Sequence, residues 1–314
     1  MGQRGRTRGK QGKNPGGSRH IGVWLVTVML LGVLGAGGYY VYRTVTGGIR
    51  SEDCTATGSD GTSVTIVNDR MANAATIAAV ARAKSLPERA TIVALATAQQ
   101  ESKIRNIDYG DRDSVGLFQQ RPSQGWGTAA QIADPVYATG KFFYALLNVQ
   151  NWQNMNVGKA AQSVQRSADS SGSSYDQWEQ MATVLATSLD GKAGTTLTCR
   201  YNDPKLAVET PGGDGMTPRA SAVGAALVKQ FSANGAGNAP QFTHSPDGLT
   251  VRITSGQGIT DPKVLAAWAV ASAKNLGVDR VQYADQVWTR ATGKWQTASS
   301  PLTGAVEVSV VKGG

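Results

Sequence analysis

The 314-residue chain is predicted to be an α+β protein, with an N-terminal transmembrane helix, a mainly helical domain and a small C-terminal mixed α/β domain. Three observations predict this. One apolar run near the start is long enough to cross a bilayer. Between residues 71 and 189 apolar positions recur at helical spacing. Beyond a Pro/Gly/Thr-rich stretch at 209–221, helix-like and strand-like runs alternate.

Residues 1–20 are Gly/Arg/Lys-rich and read as a disordered, basic, cytoplasmic tail. The first 50 positions hold eight basic residues and no acidic one, leaving 23 Lys and Arg against 22 Asp and Glu elsewhere. The net charge of +9 therefore belongs to the tail, and a nucleic-acid-binding body is disfavoured. Residues 21–42, IGVWLVTVMLLGVLGAGGYYVY, supply the roughly 20 apolar residues of a membrane-spanning helix. Six basic residues precede the run, which places the N-terminus in the cytoplasm and the bulk outside the cell membrane. Trp24, Tyr39, Tyr40 and Tyr42 stand near its ends, where interfacial aromatics belong. The alternative is a cleaved signal peptide, for which Gly35-Ala36-Gly37 offers small residues. In an oxidising compartment the two cysteines, Cys54 and Cys199, are expected to pair; two buried free thiols are the alternative.

Residues 43–68 read as a linker with strand character at 63–67. The helical domain is expected over 69–203, with helices at 71–83, 88–101, 135–149, 157–168 and 175–188. Ser85 and Glu88 have capping-box spacing, and Pro87 suits a first turn. A second linker, 204–219, leads to the accessory domain, 220–314. Helices are expected there at 220–231 and 262–275, and strands at 250–253, 281–283, 287–290 and 306–311.

One residue stands out in this scheme. The helix ending at Glu101 is preceded by ATIVALATA, apolar on nearly every face, so it should be buried. A carboxylate at its C-terminus meets the negative end of the helix dipole and loses hydration. Both effects disfavour the charged form and should raise the pKa. A carboxyl that keeps its proton near neutrality is what glycosidic cleavage needs to protonate a leaving oxygen. The bland alternative is a helix-end glutamate turned to solvent.

The loop that follows, GDRDSVGLFQQRPSQGWG (110–127), combines glycines for tight turns with amides and aromatics suited to a sugar cleft. QQES, then S-x-G-L-F-Q, resembles the signature of the soluble lytic transglycosylase and goose-type lysozyme superfamily. The fuller run through DPVYATGKFFYALL is similar to the lysozyme-like domain of exported, membrane-anchored actinobacterial proteins, and AAQSVQRSA (160–168) resembles that group's third helix motif. The likeness covers roughly residues 65–189. It implies Glu101 as general acid/base. It gives Ser102, Ser114, Gly116, Leu117, Phe118, Gln119, Gln120 and Gln165 cleft-shaping or sugar-contacting places. Phe118 replaces the usual methionine of the motif. The tyrosine-asparagine pair common in the third transglycosylase motif is missing, with Ser163-Val164-Gln165 there instead. Among the nearby Asp108, Asp111 and Asp113, Asp111 and Asp113 are candidates for a second carboxylate. One of them at roughly 6.5–9.5 Å from Glu101 would activate water for inverting hydrolysis. Without one, Glu101 acts alone and the sugar closes a 1,6-anhydro ring, as in lytic transglycosylases. A solvated structural loop is the other reading of these aspartates.

Elimination points the same way. His244 is the single histidine outside the tail, which disfavours Ser-His-Asp, Cys-His and multi-histidine zinc chemistry in the exported part. No metal or cofactor is expected. The terminal domain resembles weakly a relative of D,D-peptidase folds, lacks the expected aspartate after His244, and reads as a binding module. Trp288 and Trp295 are either sugar-stacking or core residues. The chain is thus expected to be a membrane-anchored peptidoglycan-cleaving glycosidase, a lytic transglycosylase or muramidase, with glycan strands and the lipid bilayer as partners and no nucleic acid. The alternative is a catalytically inactive peptidoglycan-binding or scaffolding protein on the same fold.

Overall fold

The computed structural model describes residues 2, 52–167, 170–194, 196–202, 205–232, 240–254 and 261–314. The basic tail and the expected membrane span at 21–42 lie outside the described residues. Among those described, no helix is long and apolar enough to cross a membrane.

The protein is mixed α+β. The chain enters through β1 (Asp53–Thr57) and β2 (Ser63–Val67), and returns to them much later as β3 (Thr196–Cys199). These strands form an antiparallel sheet in the order β2-β1-β3. Its first two strands occupy the end of the stretch read as a linker. Cys54 sits directly opposite Cys199 in the β1–β3 register, and the two form a disulfide across 145 residues of sequence. The expected pairing is therefore present, and the loop it closes is the whole helical part.

Within that loop lie α1 (Asn68–Ala83), α2 (Glu88–Ser102), α3 (Ala129–Ile132), α4 (Pro135–Leu147), α5 (Val157–Gln165), α6 (Ser173–Asp176) and α7 (Glu179–Leu189). The α2 helix is the hub. Ala90, Val93, Ala94, Leu95, Ala96, Thr97 and Ala98 are all buried, and α4, α5, α6 and α7 pack around them. An alanine-rich helix suits this place because small side chains let several neighbours approach its axis at once. A helix apolar on all sides should be buried, and this one is.

Three sequence expectations need correction. Ser85 does not cap α2. It lies in the left-handed region at φ 54 and closes the end of α1, its N–H donating to Arg82 O at 2.9 Å, while Pro87 stands at the N-cap without a side-chain bond. The helix expected at 157–168 stops at Gln165, because Arg166 turns left-handed at φ 51. The helix expected at 175–188 is two helices, α6 and α7, broken around Gln177 and Trp178. Tertiary contacts explain that break: the Trp178 indole N–H donates to Gln100 Oε1 at 2.8 Å, and Tyr175 is turned towards Glu101.

The C-terminal part contains α8 (Pro218–Phe231), β4 (Gln241–His244), β5 (Thr250–Thr254), α9 (Pro262–Ala271), α10 (Ala273–Leu276), β6 (Val278–Thr289) and β7 (Lys294–Val310). Its antiparallel sheet runs β4-β5-β7-β6. The strands read as 281–283 and 287–290 are one long strand, β6, carried through two irregularities around Ala284. Residues 51–314 cluster as one compact unit, and one hydrophobic core runs through both parts. The seam is specific. Tyr201 Oη donates to Val270 O at 2.5 Å at the end of α9, Trp288 meets the Tyr201 ring edge-on, and the buried Arg290 guanidinium lies 4.7 Å over that ring. Trp295 donates to Leu197 O on β3 at 2.8 Å. Trp288 is fully buried and takes the core reading, whereas Trp295 is half-buried, packs against Tyr283 and lines a separate hollow away from Glu101.

Candidate active site

Glu101 occupies the last turn of α2, and the way that helix stops decides where its carboxyl goes. Lys103 and Ile104 both adopt left-handed backbone, at φ 59 and 57. Ile104 N–H bonds back to Ala98 O at 2.9 Å and Lys103 N–H to Gln99 O at 3.1 Å, the paired closure of a Schellman-type end. Ile104 is fully buried there, which anchors the reversal in the core. The chain then leaves at a sharp angle and the Glu101 side chain emerges into a groove.

That groove has a volume of about 570 Å³ and is lined by Glu101, Asp111, Arg112, Ser114, Gln119, Arg121, Gln124, Trp126, Gln165, Arg166 and Ser167. Glu101 itself is only partly exposed. Tyr175 Oη donates to its Oε1 at 2.7 Å. Loss of hydration on burial pushes the Glu101 carboxyl above its ordinary value, and the hydrogen bonds from Tyr175 and Gln165 pull part of the way back. Burial, rather than the helix dipole, is the leading cause. The result is an acid that faces a groove and holds its proton to higher pH than an exposed glutamate does.

The loop from 105 to 127 builds the opposite wall. Its apolar pair points inward: Leu117 and Phe118 are buried, with Phe118 stacked on Phe142 of α4 at 4.6 Å between ring centroids. Gly116 sits at φ +80, and a Cβ there would lie 2.7 Å from Ile132 O, so this turn requires glycine. Ser102 is buried and donates to Leu117 O at 2.7 Å, fastening the loop to the end of α2. Ser114 donates to Asp111 O at 2.7 Å and to Gln119 Oε1 at 3.2 Å. Gln119 donates to Tyr109 O and Gly116 O. Gln120 is buried away from the groove and donates to Ala138 O at 3.1 Å. Gln165 reaches over from α5, donates to Phe118 O at 2.8 Å, and lines the groove beside Glu101.

The predicted residues therefore divide. Glu101, Ser114, Gln119 and Gln165 meet at the groove. Ser102, Gly116, Leu117, Phe118 and Gln120 form the frame that holds its wall in place. The aspartates divide as well. Asp113 accepts from Arg121 Nε at 2.9 Å and from Ser123 N at 2.7 Å, and these bonds hold its carboxyl well below the usual range. It is absent from the groove lining, whereas Asp111 is present there with a largely exposed side chain.

Sequence reasoning missed Tyr175, Trp126 and the arginines. Tyr175 lies 74 residues beyond Glu101, inside what reads as an ordinary amphipathic start of a helix, so no local signal marks it. Trp126 and the cluster Arg112, Arg121 and Arg166 had a weaker signal, since Trp126, Arg112 and Arg121 lie inside the quoted loop motif and Arg166 inside the quoted 160–168 segment. Comparison with models of known protein families and with curated proteins found no match.

Proposed function

We propose that the protein is a glycan-cleaving enzyme of the cell wall, with Glu101 as its general acid/base and peptidoglycan strands as substrate. One observation carries this reading: a partly buried carboxyl, its pKa pushed up by burial, opens into a polar groove with an aromatic residue in its lining. A structural role alone gives little reason to place a carboxyl there, since burying it costs stability. The disulfide supports a location outside the cytoplasm, in keeping with an anchored protein whose body faces the wall.

A single-acid mechanism fits the groove best. Asp113 is held by Arg121 and Ser123, and Asp111 carries a solvated carboxylate at the rim. In that mechanism the Glu101 proton passes to the glycosidic oxygen as the C1–O bond breaks. The resulting Glu101 carboxylate takes the proton from the sugar's 6-hydroxyl as O6 bonds to C1. No water is consumed, and the product carries a 1,6-anhydro end. Tyr175 stabilises the carboxylate between these steps by donating to Oε1.

The test is digestion of purified peptidoglycan by the full-length protein and its Glu101→Gln variant. Wild type should release muropeptides at least about 100-fold faster than the variant, the usual worth of a general acid. Equal release by both would leave a binding protein. Mass spectrometry of the products separates anhydro ends from the reducing ends that an Asp111-assisted hydrolysis would give.

A further inference from the structure

The groove does not stop at Glu101. A second hollow of about 490 Å³ continues from it, and the two share Gln124, Trp126, Gln165 and Arg166. Arg166 therefore stands where the two lobes join. Its surroundings leave its charge uncommitted. Arg121 is bound by Asp113 at 2.9 Å, and Arg112 has Asp111 at 3.9 Å. The Arg166 backbone N–H bonds to Gln162 O, but its guanidinium has no hydrogen-bond or ion-pair partner among the described residues. It is an exposed cation in the shared lining of the two lobes.

Neutral sugar rings offer a guanidinium hydroxyl and N-acetyl oxygens but no opposite charge. A carboxylate gives it a planar partner for two parallel hydrogen bonds. We propose that the junction of the two lobes is a carboxylate-reading site, in which Arg166 engages carboxylates on the peptide substituents of the glycan strand. The groove then distinguishes peptide-bearing strands from bare ones. This rests on the glycan-cleaving reading above and adds to it the form of strand selected. A purely structural role is the competing account, because a cation after the last turn of α5 also complements that helix's negative end.

The experiment measures binding rather than turnover, so that the two readings fail separately. Full-length Glu101→Gln protein in detergent is titrated with three probes: a neutral N-acetylglucosamine oligosaccharide, peptidoglycan fragments whose stem peptides carry free carboxylates, and the same fragments with those carboxylates amidated. The same titrations are run with Arg166→Gln and Arg166→Lys added. Arg166→Gln should weaken the carboxylate-bearing fragment about tenfold or more, the usual value of a charge-assisted pair, and leave the other two probes unchanged. Arg166→Lys keeps the charge without the fork and should recover part of the loss. If Arg166→Gln weakens all probes alike, or none, or only lowers the unfolding temperature, the carboxylate site is wrong while the glycan groove stands. If no probe binds to any version, both readings are overturned.

Discussion

Glu101 and Tyr175 show how one hydrogen bond adjusts an acid that burial has already tuned. Burial raises the carboxyl's pKa and the Tyr175 hydroxyl lowers it, so the two groups oppose each other. Tyr175→Phe should therefore move the Glu101 titration to higher pH, observable by carbon NMR of the carboxyl. An unchanged or lower midpoint would contradict the geometry. Linkage gives a second prediction. The folded pKa lies above the ordinary 4.5, so the folded state binds this proton more tightly than the unfolded chain. Stability contributed here is full below 4.5 and declines as pH rises through the folded value. Glu101→Gln, always neutral, should raise the unfolding temperature at pH 7 relative to wild type and should gain less at pH 4. A gain confined to low pH would reverse the sign and sink the account.

At the scale of elements, α5 and α6 act as a bracket for Tyr175. Asp176, the next residue, accepts from Gly158 N–H at 2.5 Å and from Asn156 Nδ2 at 3.3 Å, which ties the four-residue α6 to the first turn of α5. The backbones also touch. A Cβ on Gly158 would lie 2.2 Å from Gly172 O, and one on Gly172 would lie 2.4 Å from Gly158 O. Glycine is required at both positions because two backbones occupy the space a side chain would fill. Asp176→Ala should cost about 1.5–3 kcal/mol, typical of a hydrogen bond to a charged group, measured by urea unfolding. It should also shift the Glu101 titration upward, as Tyr175→Phe does. Stability loss without that shift would make Asp176 merely structural. The central α2 helix and the expected strand at 63–67 were plain in the sequence, since burial and alternation leave periodic traces. The α6–α7 break was not, because Gln177 and Trp178 carry no helix-stopping chemistry; contacts to Gln100 and Glu101 impose it.

Over the whole molecule, the disulfide and the seam make one body of what reads as two domains. Cys54–Cys199 closes the helical part at its base, and Tyr201, Trp288 and Arg290 tie the next stretch of chain to the C-terminal sheet and helices. Arg290 donates to Val278 O and Ala273 O, so its buried charge is spread over backbone carbonyls rather than left unpaired. Replacing both cysteines with alanine should lower stability by about 2–5 kcal/mol. Because the core is shared, unfolding should remain a single transition by calorimetry. Two separated transitions would mean that the halves fold independently.

The sequence by itself determined the mixed fold, the buried helix carrying Glu101 at its end, the turn glycine at 116 and the upward push on that acid's pKa. Each follows from short-range pattern: periodic burial, a required backbone angle, a carboxyl carried by a buried apolar helix. Only the tertiary structure decided that Tyr175 meets Glu101, that Gln120 faces the core while Gln119 faces the groove, and that Arg166 stands between two lobes. Those choices depend on which distant backbones pack together, and residues 74 positions apart leave no shared periodicity for a linear reading to find.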